Sequence, residues 1–311
     1  MVETAEQEYL DAMKLLRIAA STLLASGLIA GSAVLPASAG DRGTTHYVAL
    51  GDSYAAGVGA GPLGFCGQSP LGYPELLDER KRIDLVANVT CAGAQSLEVL
   101  QDPNVPDVPT QIAQLVPAVL NDKTDLVTLT VGGNDVGYQT VIAACGYGTA
   151  VCTQAVNKTV LFAQNILSVR LDALYDEIDA RARKAEVVVT GYPHLFSPNY
   201  GATFFVPAID LETGLPLQDQ SGAPVPPLPL TPAEQQIINA GTDELNKVIR
   251  AEAKKAGFTY VDVVKRFNNH GLGSPQPWIQ PFTNAGALHP TAKGYKNGYL
   301  HEIRQAIKHL D

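Results

Sequence analysis

The sequence predicts an α/β fold in a single domain, with a parallel sheet of about five strands and helices on both faces. Two observations carry this. Short apolar runs at 46–50, 84–89, 125–131, 186–190 and 258–264 alternate with stretches of helical periodicity. The first three runs also stop at small or polar residues, Gly51-Asp52-Ser53, Thr90-Cys91-Ala92-Gly93 and Gly132-Gly133-Asn134, as strands do before a turn. No internal repeat is present.

Each element has its own signal. In HYVAL, 46–50, Tyr47, Val48 and Leu50 are apolar and Gly51 ends the run. Ser53 then falls at the carboxyl edge of the sheet, where open α/β proteins place their sites, with a helix N-terminus beside it. Ser53 reads equally well as a helix cap. Residues 59–70 are a glycine-rich loop holding Cys66, and Tyr73-Pro74 opens a helix through 82. The strand at 84–89 leads into the turn 90–96. Residues 108–120 read as an amphipathic helix, with Ile112, Leu115, Val116 and Val119 on one side. The clearest strand, 125–131, precedes an excursion bracketed by Cys145 and Cys152. A long helix over 157–184 is expected to bury Leu161, Ile166, Leu167, Leu171, Leu174 and Ile178. After the strand at 186–190, prolines crowd the run 195–232, which reads as an irregular covering loop. Pro232 sits where a first helical turn tolerates it, and that helix runs to 256. The last strand, 258–264, a loop with His270 and Trp278, and a final helix to 310 complete the chain.

The first 39 residues read as leader and secretory signal peptide. Lys14 and Arg17 precede an apolar run at 18–35, and Ala37-Ser38-Ala39 forms a cleavage site. Glu3, Glu6, Glu8 and Asp11 are acidic where a signal peptide is basic, so either Met13 is the true start or the chain carries an extra leader. Cleavage leaves 40–311, a single domain of 272 residues, and moves the formal net charge from −9 to −7. That acidity excludes nucleic acid and anionic membranes as partners recognised by charge. In an oxidising compartment the four cysteines read as two disulfides, and of three pairings the local one is favoured, Cys66–Cys91 and Cys145–Cys152. No spacing suits a metal and no cofactor is implied.

The polar strand ends suggest chemistry. Ester hydrolysis needs a nucleophile, a base and donors for an oxyanion. Ser53 and His289 supply the first two. The backbone N–H groups of Ser53 and Gly93, with the Asn134 side-chain amide, supply the third. The glycines of GVGAG, 57–61, lack the Lys-Ser/Thr ending of a phosphate loop.

Gly51-Asp52-Ser53-Tyr54, Gly93 in CAGAQS, Gly132-Gly133-Asn134-Asp135 and His289 in ALHPT together resemble the four blocks of the SGNH hydrolases, the GDSL-type lipases and esterases. The resemblance covers essentially 47–310 and looks most like secreted actinobacterial esterases and phospholipases. It implies a flavodoxin-like three-layer α/β/α sandwich, Ser53 as nucleophile, His289 as base, and Ser53, Gly93 and Asn134 as oxyanion hole. Most of that family has an aspartate three residues before the histidine; here Gly286 stands there, and 284–288 hold no acid. Some members use a backbone carbonyl instead, so a Ser53–His289 dyad is expected, with the Gly286 or Ala287 carbonyl behind the ring. Asp243 and Asp262 are the alternatives. Asp52 and Asp135 are read as structural. His194 and His270 are loop residues able to reach a cleft, and Trp278 is read as packing. Similar members carry a cysteine soon after the equivalent of His270; HGLGSPQPWI has none.

The expected protein is thus a secreted, monomeric ester hydrolase, a lipase or esterase with phospholipase A-type activity in range. It has a small-molecule or lipid ester as its partner and no stable membrane anchor. A carbohydrate O-acetyl esterase and a non-catalytic exported binding protein are the alternatives. The apolar residues Phe204, Phe205, Val206, Leu215, Val225 and Leu228 of the covering insertion suit an acyl chain better than a sugar, and read equally as core packing.

Overall fold

A computed structural model describes residues 43–80, 82–96 and 120–310. The leader lies outside these, as does the helix expected over 108–120 except for Leu120. In chain order come β1 (Thr45–Gly51), α1 (Ser53–Ala56), α2 (Tyr73–Asp78), β2 (Ile83–Asn88), β3 (Leu126–Thr130), α3 (Tyr138–Cys145), α4 (Thr149–Phe162) and α5 (Ser168–Arg181). They are followed by β4 (Glu186–Thr190), β5 (Phe204–Val206), β6 (Leu228–Leu230), α6 (Pro232–Lys255), β7 (Thr259–Val261), α7 (Val264–Phe267), α8 (Ala292–Gly294) and α9 (Leu300–Ala306).

The central sheet has the order β2-β1-β3-β4-β7 and every pairing in it is parallel. Helices α4 and α5 both pack on α6, while α2 and α9 form a second group; α6 and α9 both reach β4 and β7, so the sheet lies between two helical layers. All five residues of β3 are buried, as expected of a strand covered on both faces. The chain leaves β1 toward β2 on one side, then crosses to β3 on the other. The carboxyl end of β1 therefore sits at the topological switch point, where such sheets leave a crevice.

At that point β1 and β3 come very close. Gly51 has φ +129°, and a Cβ there would stand 2.4 Å from the Thr130 carbonyl oxygen and 2.8 Å from Ala55 Cβ. Only glycine satisfies both the backbone angle and the contact. Helix α6 starts with a capping box between Thr231 and Glu234, with Pro232 in its first turn. It is the helix that later carries part of the site wall.

The structure corrects three expectations. The long helix begins at Thr149, eight residues earlier than predicted, and a π turn at Ala163–Leu167 joins α4 to α5. Its buried stripe is Val156, Ala163, Leu167, Leu171, Leu174 and Ile178, leaving Leu161 and Ile166 exposed. Ile166 is adjacent to Leu167 and so points about 100° away from it around the helix, which rules out burying both on one stripe. The helix that starts at Tyr73 ends at Asp78. The proline-rich run is also not wholly irregular. β5 and β6 pair antiparallel within it, and Phe204 and Val206 turn inward while Phe205 turns out, the two-residue alternation of a strand.

Candidate active site

Ser53 opens α1 directly after the Gly51-Asp52 turn, and His289 follows Leu288 just before α8. They are 236 residues apart in sequence, yet His289 Nε2 lies 2.7 Å from Ser53 Oγ. Both are buried. His289 Nδ1 is 2.9 Å from the Ala287 carbonyl oxygen, so Nδ1 carries the proton and Nε2 accepts from the serine. The Gly286 carbonyl instead accepts the His289 main-chain N–H at 3.1 Å. Of the two carbonyls expected behind the ring, Ala287 is the hydrogen-bond partner. Burial pushes the imidazole pKa down, and the Ala287 and Gly286 carbonyls offset part of that.

Among the described residues no carboxylate is hydrogen-bonded to the ring. Asp243 pairs with His194 at 2.8 Å and Asp262 with Arg250 at 2.6 Å. Gly286 explains the missing acid. It has φ +80°, and a Cβ on it would sit 2.8 Å from both Cα and N of Gly59. Gly59 is equally confined, since its own Cβ would meet the Pro290 oxygen at 2.7 Å and His289 Cβ at 3.0 Å. Two glycines face each other where an aspartate has no room. Leu288 also has a positive φ, 65°, a strained angle for a leucine. Its carbonyl is held by the Tyr54 hydroxyl at 2.6 Å, and the Tyr54 ring lies 4.9 Å from that of His289. The residue after the serine thus fixes the backbone of the residue before the histidine.

Asp52 is structural in position. One oxygen accepts the Tyr54 N–H at 2.8 Å, capping α1, and the other accepts the Tyr192 hydroxyl at 2.5 Å. Burial pushes its carboxyl up to about 7 against these donors. The Tyr192 oxygen in turn accepts the Gly133 N–H at 2.9 Å. Asn246 of α6 clasps the Tyr192 backbone at both ends, 2.8 Å each. Asn134 donates its side-chain amide to the Ala94 carbonyl at 3.0 Å, which brings the turn carrying Gly93 alongside it. Asp135 holds that turn too, accepting the Ser96 N–H at 3.0 Å and its hydroxyl, with Arg170 at 3.6 Å.

Ser53, Asp52 and Asn134 line a cavity of about 80 Å³ whose other walls include Val136, Val141, Ile142, Val156, Ile238 and Leu245. These come from α3, α4, α6 and the turn before α3. No residue of the 195–232 insertion beyond Leu195 takes part, which overturns the expectation that the insertion roofs the site. Phe205 and Leu215 are exposed instead, while Phe204 packs on Phe282 and Phe196. Gly93 is not among the residues that line the cavity. His270 stacks on Trp278 at 3.9 Å and Trp278 is buried against Phe267, so neither reaches the site. The disulfides are Cys66–Cys91 and Cys145–Cys152, the local pairing.

Sequence reasoning missed Tyr192, Asn246 and the structural partner of Gly286. Tyr192 carries a signal in Gly191-Tyr192-Pro193 at a strand end; Asn246 and Gly59 carry none, because their roles exist only across the fold.

The profile of the GDSL-like Lipase/Acylhydrolase family matches residues 49–296. A lipase from Streptomyces rimosus is 33% identical over 295 residues, 93% of this chain and 96% of that protein. The crystal structure of the extracellular lipase from Streptomyces rimosus superposes with a TM-score of 0.65 at 31% identity, covering 85% of this chain and 100% of that one. That of phospholipase A1 from Streptomyces albidoflavus NA297 gives 0.65 at 32% identity, covering 84% and 99%.

Two substitutions test the framework. Tyr192→Phe strips Asp52 of a donor and Gly133 of an acceptor while keeping the ring, and should cost about 1–3 kcal/mol in urea unfolding; an unchanged midpoint would refute the role given to the hydroxyl. Gly286→Asp should lower the melting temperature rather than install a third catalytic member, and a more stable variant with a raised His289 pKa by NMR would contradict the packing argument.

Proposed function

This chain belongs to the GDSL-like lipase/acylhydrolase family and is a carboxylic ester hydrolase, and from that premise we propose that it is an exported lipase or esterase working through a Ser53–His289 dyad and a covalent acyl-enzyme. The observation that carries the reading is the 2.7 Å contact between His289 Nε2 and Ser53 Oγ, with Ser53 in the wall of a largely apolar cavity. Ser53 Oγ attacks the ester carbonyl carbon as His289 Nε2 takes its proton. The imidazolium that forms is steadied at Nδ1–H by the Ala287 carbonyl, a partial charge in place of a full one. The N–H groups of Ser53 and Gly93 and the second amide proton of Asn134 receive the oxyanion. His289 then protonates the departing alkoxide, and water, deprotonated by the same ring, releases the acid.

The cavity wall of valine, isoleucine and leucine favours an aliphatic acyl chain, phospholipid acyl esters included. The relatives named lipase and phospholipase A1 support the same substrate class. Export is supported by the leader, with cleavage after Ala39, by the two disulfides, and by the extracellular relative. Among the described residues no helix is long and apolar enough to cross a membrane.

A fluorophosphonate should label the protein once, on Ser53, and Ser53→Ala should abolish labelling and cut turnover by about a thousandfold or more, as should His289→Ala for turnover. Full activity in the alanine variant would end the proposal. Turnover of acetylxylan above p-nitrophenyl esters of graded length and phosphatidylcholine would overturn its substrate class. Because only the neutral ring accepts a proton and burial lowers its pKa, kcat/KM should fall as pH drops through a midpoint below the ordinary histidine value of about 6.5 and stay flat above it. A midpoint above that value would contradict the burial argument.

A further inference from the structure

Among the described residues, the large apolar side chain most exposed to solvent is Phe65, at 82%. Leu63 and Leu71, on the same 59–72 loop, are 49% and 39% exposed. Single exposed apolar side chains are ordinary, but this set is concentrated on one loop and that loop is fastened in place. Cys66, next to Phe65, is disulfide-bonded to Cys91 and accepts the Ala92 N–H at 2.8 Å. The Gln68 amide donates to the carbonyls of Asn88 at 2.8 Å and Thr90 at 3.0 Å. Gly64 N–H reaches the Gln68 carbonyl at 2.7 Å, closing the tip that carries Phe65. The loop is therefore seated on the turn leading to Gly93, and its first residue, Gly59, abuts Gly286 of the histidine loop.

Charge adds the second observation. From Ser53 to Pro74 the sequence has no ionisable side chain except two tyrosines and Cys66, and 85–97 and 271–288 are free of charge as well. These three segments carry Ser53, Gly93 and the approach to His289. The protein as a whole is at −9. A net-negative chain whose segments carrying Ser53, Gly93 and the approach to His289 hold no charge is matched, on those segments, to a surface that is itself apolar beneath and carries no net charge.

We propose that the Leu63–Phe65–Leu71 loop is an interfacial anchor that enters the headgroup–acyl boundary of neutral or zwitterionic lipid aggregates and sets the Ser53 cavity over its substrate. The inference rests on the lipid-ester reading above and deepens it. The disulfide and the Gln68 bonds keep Phe65 outward, so no opening step precedes binding and little ordering entropy is lost on contact. Phenylalanine and leucine on an uncharged tip supply apolar area for partition without a basic patch to select anionic lipid.

Binding and catalysis separate experimentally. In a Ser53→Ala background, which leaves lipid intact, flotation with phosphatidylcholine vesicles should recover the protein, and adding Leu63→Ala and Phe65→Ala should weaken partition about tenfold. Phe65→Trp in that background should keep binding and shift its emission to the blue when vesicles are added, against a buried Trp278. Phosphatidylglycerol vesicles should bind no better than phosphatidylcholine. With Ser53 intact, Leu63→Ala/Phe65→Ala should hydrolyse dissolved p-nitrophenyl butyrate within about twofold of wild type while losing turnover on vesicles. Equal partition of the alanine variant, an unshifted tryptophan, preference for anionic vesicles, or an equal loss on the dissolved ester would overturn the anchor. A change in sedimentation coefficient from dimer to monomer in the alanine variant would overturn it too, by assigning the loop to a second copy. Absence of any ester turnover by wild type would defeat the functional reading, a result distinct from failure of vesicle binding.

Discussion

The buried carboxyl of Asp52 is the joint on which the site depends. It caps α1, which aims Ser53, and through the Tyr192 hydroxyl it reaches the Gly133 N–H. One side chain thus ties the carboxyl ends of β1, β3 and β4 together. A carboxyl out of water is costly unless its lone pairs are filled, and here protein donors fill them. That requirement makes the arrangement rigid, since no partner can leave without orphaning another. The rigidity is useful next to a serine that must meet a histidine from the far end of the chain.

The same logic recurs with tyrosines. Tyr54 bonds the Leu288 carbonyl, Tyr295 that of Val58 and Tyr299 that of Gly191, each hydroxyl satisfying a buried loop carbonyl while its ring packs in the core. Loops crossing the top of a parallel sheet leave backbone groups without strand partners, and long side chains with one polar tip can reach them. His289 is held by this scaffold and, among the described residues, by a carbonyl instead of an acid. Gly59 and Gly286 approach within a distance that forbids a side chain, so the carbonyl of Ala287 serves behind the ring. The two glycines and the absent aspartate are one feature.

Much of this was legible in the sequence. All five strands of the main sheet were placed to within a few residues; the three central ones, β1, β3 and β4, are buried almost throughout and so read as short unbroken apolar runs, each ended by a turn glycine. Ser53, His289 and Asn134 stood out because the ester chemistry proposed for them needs those residue types in those turns. The long helix was read less well: a π turn moves the buried stripe by a fraction of a turn, and Leu161 and Ile166 are as hydrophobic as the residues that replaced them. The insertion misled through composition. Its apolar residues suggested a roof over an acyl site, but Val206 belongs to the main core and Phe204 packs against it and on Phe282, and the cavity wall is instead built by α3, α4 and α6.

Sequence alone determined the order of elements and the parallel sheet, and it singled out Ser53 and His289 as a proposed pair and the local disulfides as the favoured pairing, because each is signalled by neighbours within a few positions or by a scarce residue. Tertiary structure decided what those residues do to one another. The hydrogen bond between Ser53 and His289, the choice of Ala287 over Gly286 behind the ring, the Tyr192 bridge from Asp52 to Gly133 and the source of the cavity wall all depend on distances between segments far apart in the chain. Such distances are fixed by packing, and packing leaves no local trace in a sequence.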